Sequence, residues 1–219
     1  MQSILEFLRS LHSAEGLKHL IQTGGLIALI GIVFAETGLL AGFFLPGDSL
    51  LVTAGIFASG DGAGGAPLFS LPILLLTLCI AAVVGDQVGF MLGFKTGDIV
   101  LHRPDGMFFK KKHLLAAHIF YEKHGAKAII LARFVPILRT FVPFVAGMAK
   151  MEYKHFVRYN IIGGLVWVCS MILLGYFVGM SPLGQQLHRV IVVVIFISIL
   201  PLIIGGARAF WKSRGVKTN

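Results

Sequence analysis

Six polar side chains sit inside or at the edges of long apolar runs: Glu36, Asp48, Asp86, Arg133, Arg139 and Asn160. A charge at membrane depth is expensive, and is a functional candidate by default. Glu36 and Asp48 share one run, and Arg133 and Arg139 share another. If the two runs meet, two carboxylates face two guanidiniums. Arginine stays charged at any working pH, and its planar fork suits a phosphate group. Carboxylates suit proton exchange, because loss of water favours the protonated acid and a nearby arginine opposes it. A phosphate that occupied the arginines would release that hold, and a carboxylate would take up a proton. Phosphate binding at Arg133 and Arg139, with proton coupling at Glu36 and Asp48, is therefore the expected chemistry. Asp86, near a helix end, and Asn160, expected to be an interhelical hydrogen bonder, are secondary candidates. The competing reading is an ion-pair network that only locks two segments together.

Other chemistries find less support. Cys79 and Cys169 each lie inside an apolar run without a cysteine at metal-ligand spacing. Both read as small hydrophobes. The eight histidines form no HExxH-like pair and no Cys/His cluster, so no metal site is expected. No cofactor is implied either. A membrane lipid phosphatase would want a histidine nucleophile within an Arg/His-rich signature, and no such string occurs, so an enzyme is not expected. Trp167, Trp211 and the phenylalanines read as packing and interface residues.

The elements that must position these groups follow from composition. The chain has 219 residues, 56% hydrophobic and 13% charged, with mean hydropathy +0.86. Ordinary soluble domains carry about 25% charged residues, so too little polar surface remains to coat a water-soluble globule. The expected class is an all-α polytopic membrane protein. The net charge of +9 lies mostly at the ends of apolar runs. That is the pattern of the positive-inside rule, and not of a nucleic-acid patch.

Residues 1–23 read as an amphipathic interfacial segment, and 24–94 as a first half. Residues 95–125 form a basic connector, 126–180 a second half, 188–207 a last span, and 208–219 a basic tail. The stretch 24–59 is long for one span and short for two, and Pro46, Gly47 and Asp48 interrupt it. It reads as a re-entrant helical hairpin. The stretch 128–149 holds Arg133, Pro136, Arg139 and Pro143. Its two arginines cost roughly 5–7 kcal/mol at a helix centre, against roughly 3–7 kcal/mol from its apolar residues. A second broken hairpin fits better than a lone span, with breaks at Pro136 and Pro143. Helix N-termini after those breaks would offer N–H donors to an anion. Spans over about 71–94, 156–180 and 190–207 complete the chain.

If both hairpins return to their own side, 95–127, 150–158 and 208–219 share one face. That face then gathers fourteen of the nineteen basic residues, against three on the other. The split places the C-terminus in the cytoplasm. Each half is then a broken hairpin followed by a span, with the hairpins entering from opposite faces. This is the inverted-repeat plan of many transporters.

At these residues the chain resembles the bacterial DedA family of membrane proteins, which carry the SNARE-associated or VTT domain. The carriers are FAETGL (34–39), FLPGDSLL (44–51), VVGD (83–86), FYEKHG (120–125), ARFVPILRTFVPFVAGMAKM (132–151) and YNIIGGLVW (159–167). The resemblance implies a multi-pass protein of the bacterial inner membrane with two opposed re-entrant hairpins. It implies lipid transport, of undecaprenyl phosphate or a phospholipid, and with the charged groups above the first expectation is a lipid-phosphate flippase driven by protons or the membrane potential. The family's required acids match Glu36 and Asp48, and its required arginines match Arg133 and Arg139. A proton/cation antiporter and a non-transporting scaffold for membrane biogenesis are the alternatives. A homo-oligomer is compatible with all three.

Overall fold

The structure, a computed structural model, describes residues 14–40, 45–60, 66–102 and 127–181. The N-terminal residues before 14, most of the basic connector with its FYEKHG motif, the last expected span and the basic tail lie outside them. Among the described residues all regular structure is helical. Six helices follow in order: α1 (Ala14–Gly38), α2 (Gly47–Ser59), α3 (Leu71–His102), α4 (Lys127–Ala132), α5 (Pro136–Met148) and α6 (Tyr153–Gly179).

Three helices are long and apolar enough to cross a membrane, over His19–Gly38, Leu71–Gly97 and Tyr153–Gly179. The first was not expected as a span, since the sequence placed 24–59 in a hairpin with two short arms. The helix is interrupted, however. Gly25 has φ 56° and ψ −150°, a backbone state open to glycine and strained for a side-chain-bearing residue. The kink leaves 26–38 as a helical arm of the same length as α2. The third helix runs on past Phe94 to His102. A helix satisfies its own backbone and need not stop where the apolar run does.

Burial differs sharply between elements. Every residue of α2 from Gly47 to Ala58 is buried. A helix apolar on all sides belongs in a core, and α2 sits at the centre of the bundle. Its Leu50, Leu51, Ala54 and Phe57 pack with Leu29 and Val33 of α1, Leu74 and Leu78 of α3, and Trp167 and Ile172 of α6. The long helices instead leave apolar faces bare, through Ile73, Leu76, Ile80 and Met91 on α3 and Leu165, Leu174 and Phe177 on α6. With no polar coat over them, these are lipid-facing surfaces.

Chain-distant halves interlock. The closest packing joins α2 to α6 and α5 to α3. Glycines make both contacts possible, because a β-carbon would strike the opposing backbone. One at Gly55 would meet the Ile172 carbonyl and the Tyr176 N–H, and one at Gly147 the Phe90 carbonyl and the Phe94 N–H. Gly175 lies on Val52 as Gly93 lies on Phe144, and Gly179 lies on Ser59 and the Ile56 backbone as Gly97 lies on Met148. A single constant shift along the chain carries the α3 members of these contacts onto those of α6. A second constant shift carries the α2 members onto those of α5.

Candidate functional site

The breaks in the chain place the charged groups. Glu36 lies in the last turn of α1, and Asp48 in the first turn of α2. Arg133 lies just past α4, where the chain tightens through bonds from Arg133, Phe134 and Val135 N–H to the carbonyls three residues earlier. Arg139 lies in the first turn of α5, its N–H donating to Val135 O at 2.9 Å. Pro136 starts that helix, as its preset φ and missing N–H allow. Pro143 does not break the chain as the sequence suggested. It lies inside α5 and packs near Gly89 of α3. Tertiary packing on α3 supports the helix across the one missing hydrogen bond.

Arg139 is the centre of the first cluster. Its Nη2 donates to Glu36 Oε1, and its Nη1 donates to Asp48 Oδ1 at 2.6 Å. All three side chains are almost fully buried. The guanidinium carbon stands 4.4 Å from the Trp167 ring centroid, a cation–π distance. The Trp167 indole N–H donates to Asp48 Oδ1 at 2.9 Å. Glu36 also caps α2, accepting the Gly47 N–H at 3.2 Å. That N–H is one of the orphan donors at a helix start. No side chain fits at residue 47, since a β-carbon there would fall on the Glu36 carboxylate.

A second cluster surrounds Arg133. Its Nη2 donates to Asp86 Oδ2, to Asn160 Oδ1, and to Asn160 O at 3.3 Å. The Asn160 amide donates onward to Val83 O at 3.1 Å and so ties α6 to α3. Gly163 and Gly164 make room for the arginine, with a β-carbon at Gly163 coming within 3.0 Å of its Cδ and Nε. The two clusters lie within Coulombic range of each other, Arg139 acting on both Arg133 and Asp86.

The structure therefore gathers all six candidates but sorts them otherwise than the sequence suggested. Glu36 and Asp48 both hold Arg139, and neither is hydrogen-bonded to Arg133. Arg133 takes Asp86, a residue the sequence placed second, because α3 passes between the two broken segments. Asn160 has the expected interhelical role. Trp167, read as a packing residue, belongs to the site, and only its place in α6 opposite α2 reveals that. Gln87, beside Asp86, was not singled out, yet its buried Oε1 makes no hydrogen bond.

The fold also brings together the two cysteines, Cys79 of α3 and Cys169 of α6, which pack in one cluster. Mild oxidation is expected to link Cys79 to Cys169 through the contact this packing makes. Mass spectrometry of digested protein should find the joined peptides, and Cys79→Ser should lose them. Persistently separate peptides under strong oxidant would count against this helix pairing. Among the described residues no group of metal-binding side chains occurs.

Broken helices set against long apolar ones, with arginines and carboxylates paired in the interior, define a polytopic helical membrane protein with a buried charged site. The VTT domain model matches residues 45–177. Protein DedA of Escherichia coli strain K12 is 47% identical over 174 residues, covering 79% of this chain and 78% of its own. The uncharacterized membrane protein Rv0364 of Mycobacterium tuberculosis H37Rv is 40% identical, covering 84% and 79%. Inner membrane protein YqjA of E. coli K12 is 33% identical, covering 85% and 84%. No solved structure matches the chain. The chain belongs to the DedA family of membrane proteins, whose shared unit is the VTT domain.

Proposed function

We propose that this protein translocates a lipid phosphate across the inner membrane, coupled to protons or to the membrane potential. The observation that carries the reading is the pairing of two buried arginines at breaks between helices with three buried carboxylates, Glu36 and Asp48 at helix ends and Asp86 within α3. A purely structural lock is poorly served by such groups, since buried ion pairs are weak sources of stability. A phosphate head group finds there the cations it needs, in a site screened from water. An anion that displaces a carboxylate from its arginine leaves that carboxylate ready for a proton. Glu36, Asp48 and Asp86 are the three so paired.

The reading includes a pair of re-entrant hairpins in inverted repeat. Helices α2 and α5 have 13 residues each. At 1.5 Å per residue they reach about 20 Å, short of the ~30 Å hydrocarbon core. The matched glycine contacts, α2 on α6 and α5 on α3, are what a two-fold relation between halves would produce. In transporters of that plan the substrate site lies between the broken helices, and the distribution of basic residues favours a cytoplasmic C-terminus.

Reconstitution into proteoliposomes with labelled polyprenyl phosphates and phospholipids tests the reading. The protein should move at least one of these lipids. Arg133→Lys and Arg139→Lys keep the charge but lose the fork, and each should lower translocation about tenfold or more, equivalent to roughly 1.4 kcal/mol or more. Translocation unchanged in both variants would remove arginine from the mechanism. Proton flux that answers to cations and ignores lipid would replace the flippase with an antiporter.

A further inference from the structure

The two buried arginines are not equivalent. Arg139 uses both terminal nitrogens on carboxylates and lies over Trp167, leaving only its Nε without a hydrogen bond. Arg133 donates through Nη2 alone, and its Nε and Nη1 are buried without a hydrogen-bond partner. No side chain of α6 covers those two nitrogens at residues 163 and 164, where both positions are glycine. Asp86, bonded to Arg133 through Oδ2, has its Oδ1 buried and unpartnered, as are Gln87 Oε1 on the same helix and Glu36 Oε2 on α1. Buried polar atoms left unsatisfied are uncommon, and a cluster of them marks a place where partners change.

Building on the transport reading above, we infer that Arg133 receives the anionic head group and that Asp86 is the counter-ion it gives up, while Arg139 stays locked to Glu36 and Asp48. An anion arriving at Arg139 must displace two carboxylates and an aromatic face. One arriving at Arg133 must displace a single carboxylate, and it meets two nitrogens with donors to spare. Asp86, once displaced, has lost its nearest cation while still buried. It takes one proton from solution, its carboxylate becoming the neutral acid. A singly charged anion entering with one proton leaves the buried charge unchanged. Glu36 and Asp48 keep Arg139 throughout, so the coupled proton belongs to Asp86.

The charged groups acting on Asp86 are Arg133, next to α4, and Arg139 of α5. From α6 it faces the neutral Asn160 across Arg133, and from α1 Thr37 lies against neighbouring Gly85. On its own helix Gln87 does not titrate, and Cys79 acts on Arg133. The head group this arrangement recognises is a tetrahedral oxyanion, on a lipid or free.

The test uses the full chain in uncharged detergent, weakly buffered near neutral pH, with farnesyl sulfate as the probe. A sulfate ester has no proton of its own to lose. Binding is followed calorimetrically and proton uptake with an indicator dye. The wild type should take up about one proton per bound probe. Asp86→Asn should bind without proton uptake, and about tenfold more tightly because the competing carboxylate is gone. Arg133→Lys should bind about tenfold more weakly. Inorganic sulfate binding equally, with the same proton, would support the site and assign it to free anions. Binding to wild type with no proton taken up overturns the inference without any variant. So does proton uptake that survives in Asp86→Asn and vanishes in Glu36→Gln. A wild type that binds neither farnesyl sulfate nor inorganic sulfate also overturns the inference, while movement of polyprenyl phosphate or phospholipid in proteoliposomes decides the transport reading separately.

Discussion

Arg139→Met is expected to destabilise the folded protein by about 3–5 kcal/mol, the loss typical of removing one partner from a buried ion pair. The substitution keeps much of the side chain's length and removes its charge. Glu36 and Asp48 are then left facing each other without a cation, both almost fully buried. Trp167 loses the guanidinium 4.4 Å from its ring centre. Thermal unfolding in detergent measures the loss. Adding Glu36→Gln and Asp48→Asn to Arg139→Met should recover much of it, since the cost lies in uncompensated charge more than in missing contacts. If the single variant melts with the wild type, Arg139 does not hold the two segments together. If the triple variant melts no higher than the single one, the loss comes from packing. The triple variant should still fail to translocate lipid phosphate, which separates stability from function.

Gly47→Ala should be nearly as damaging, although it adds one methyl group. That methyl would occupy the position of the Glu36 carboxylate. Glu36 must move, giving up the Gly47 N–H at 3.2 Å and its bond to Arg139. The expected loss is about 2–4 kcal/mol, from overpacking and a broken charge-assisted hydrogen bond. Gly31→Ala is the matched control. Nothing lies within 4 Å of a β-carbon at Gly31, so its stability should stay within about 0.5 kcal/mol of wild type. Equal melting of the two variants would mean that Glu36 does not rest on the start of α2. Translocation assayed on both should fall for Gly47→Ala alone.

The sequence by itself determined the class of protein and the identity of the charged groups. Both are local properties. A run of apolar residues has one sensible solvent, and Glu36, Asp48, Arg133 and Arg139 stand out because each is costly within such a run. Pro46 with Gly47, and Pro136, likewise mark helix starts through the geometry of a single ring or a missing β-carbon. Tertiary structure decided the partners. Which acid meets which arginine depends on α3 running beside the turn that carries Arg133 and on α2 lying against α6. Those contacts are set by glycines whose role appears only when the opposing backbone is in place. Asp86 reads from sequence as a helix-end residue and becomes the counter-ion of Arg133. Pro143 reads as a break and lies within a helix, because packing on α3 carries the helix across one missing hydrogen bond. Trp167 reads as an interface residue and instead anchors Asp48. Charge and hydropathy belong to each residue alone. Pairing belongs to the approach of helices distant in sequence, and no periodicity within one helix encodes it.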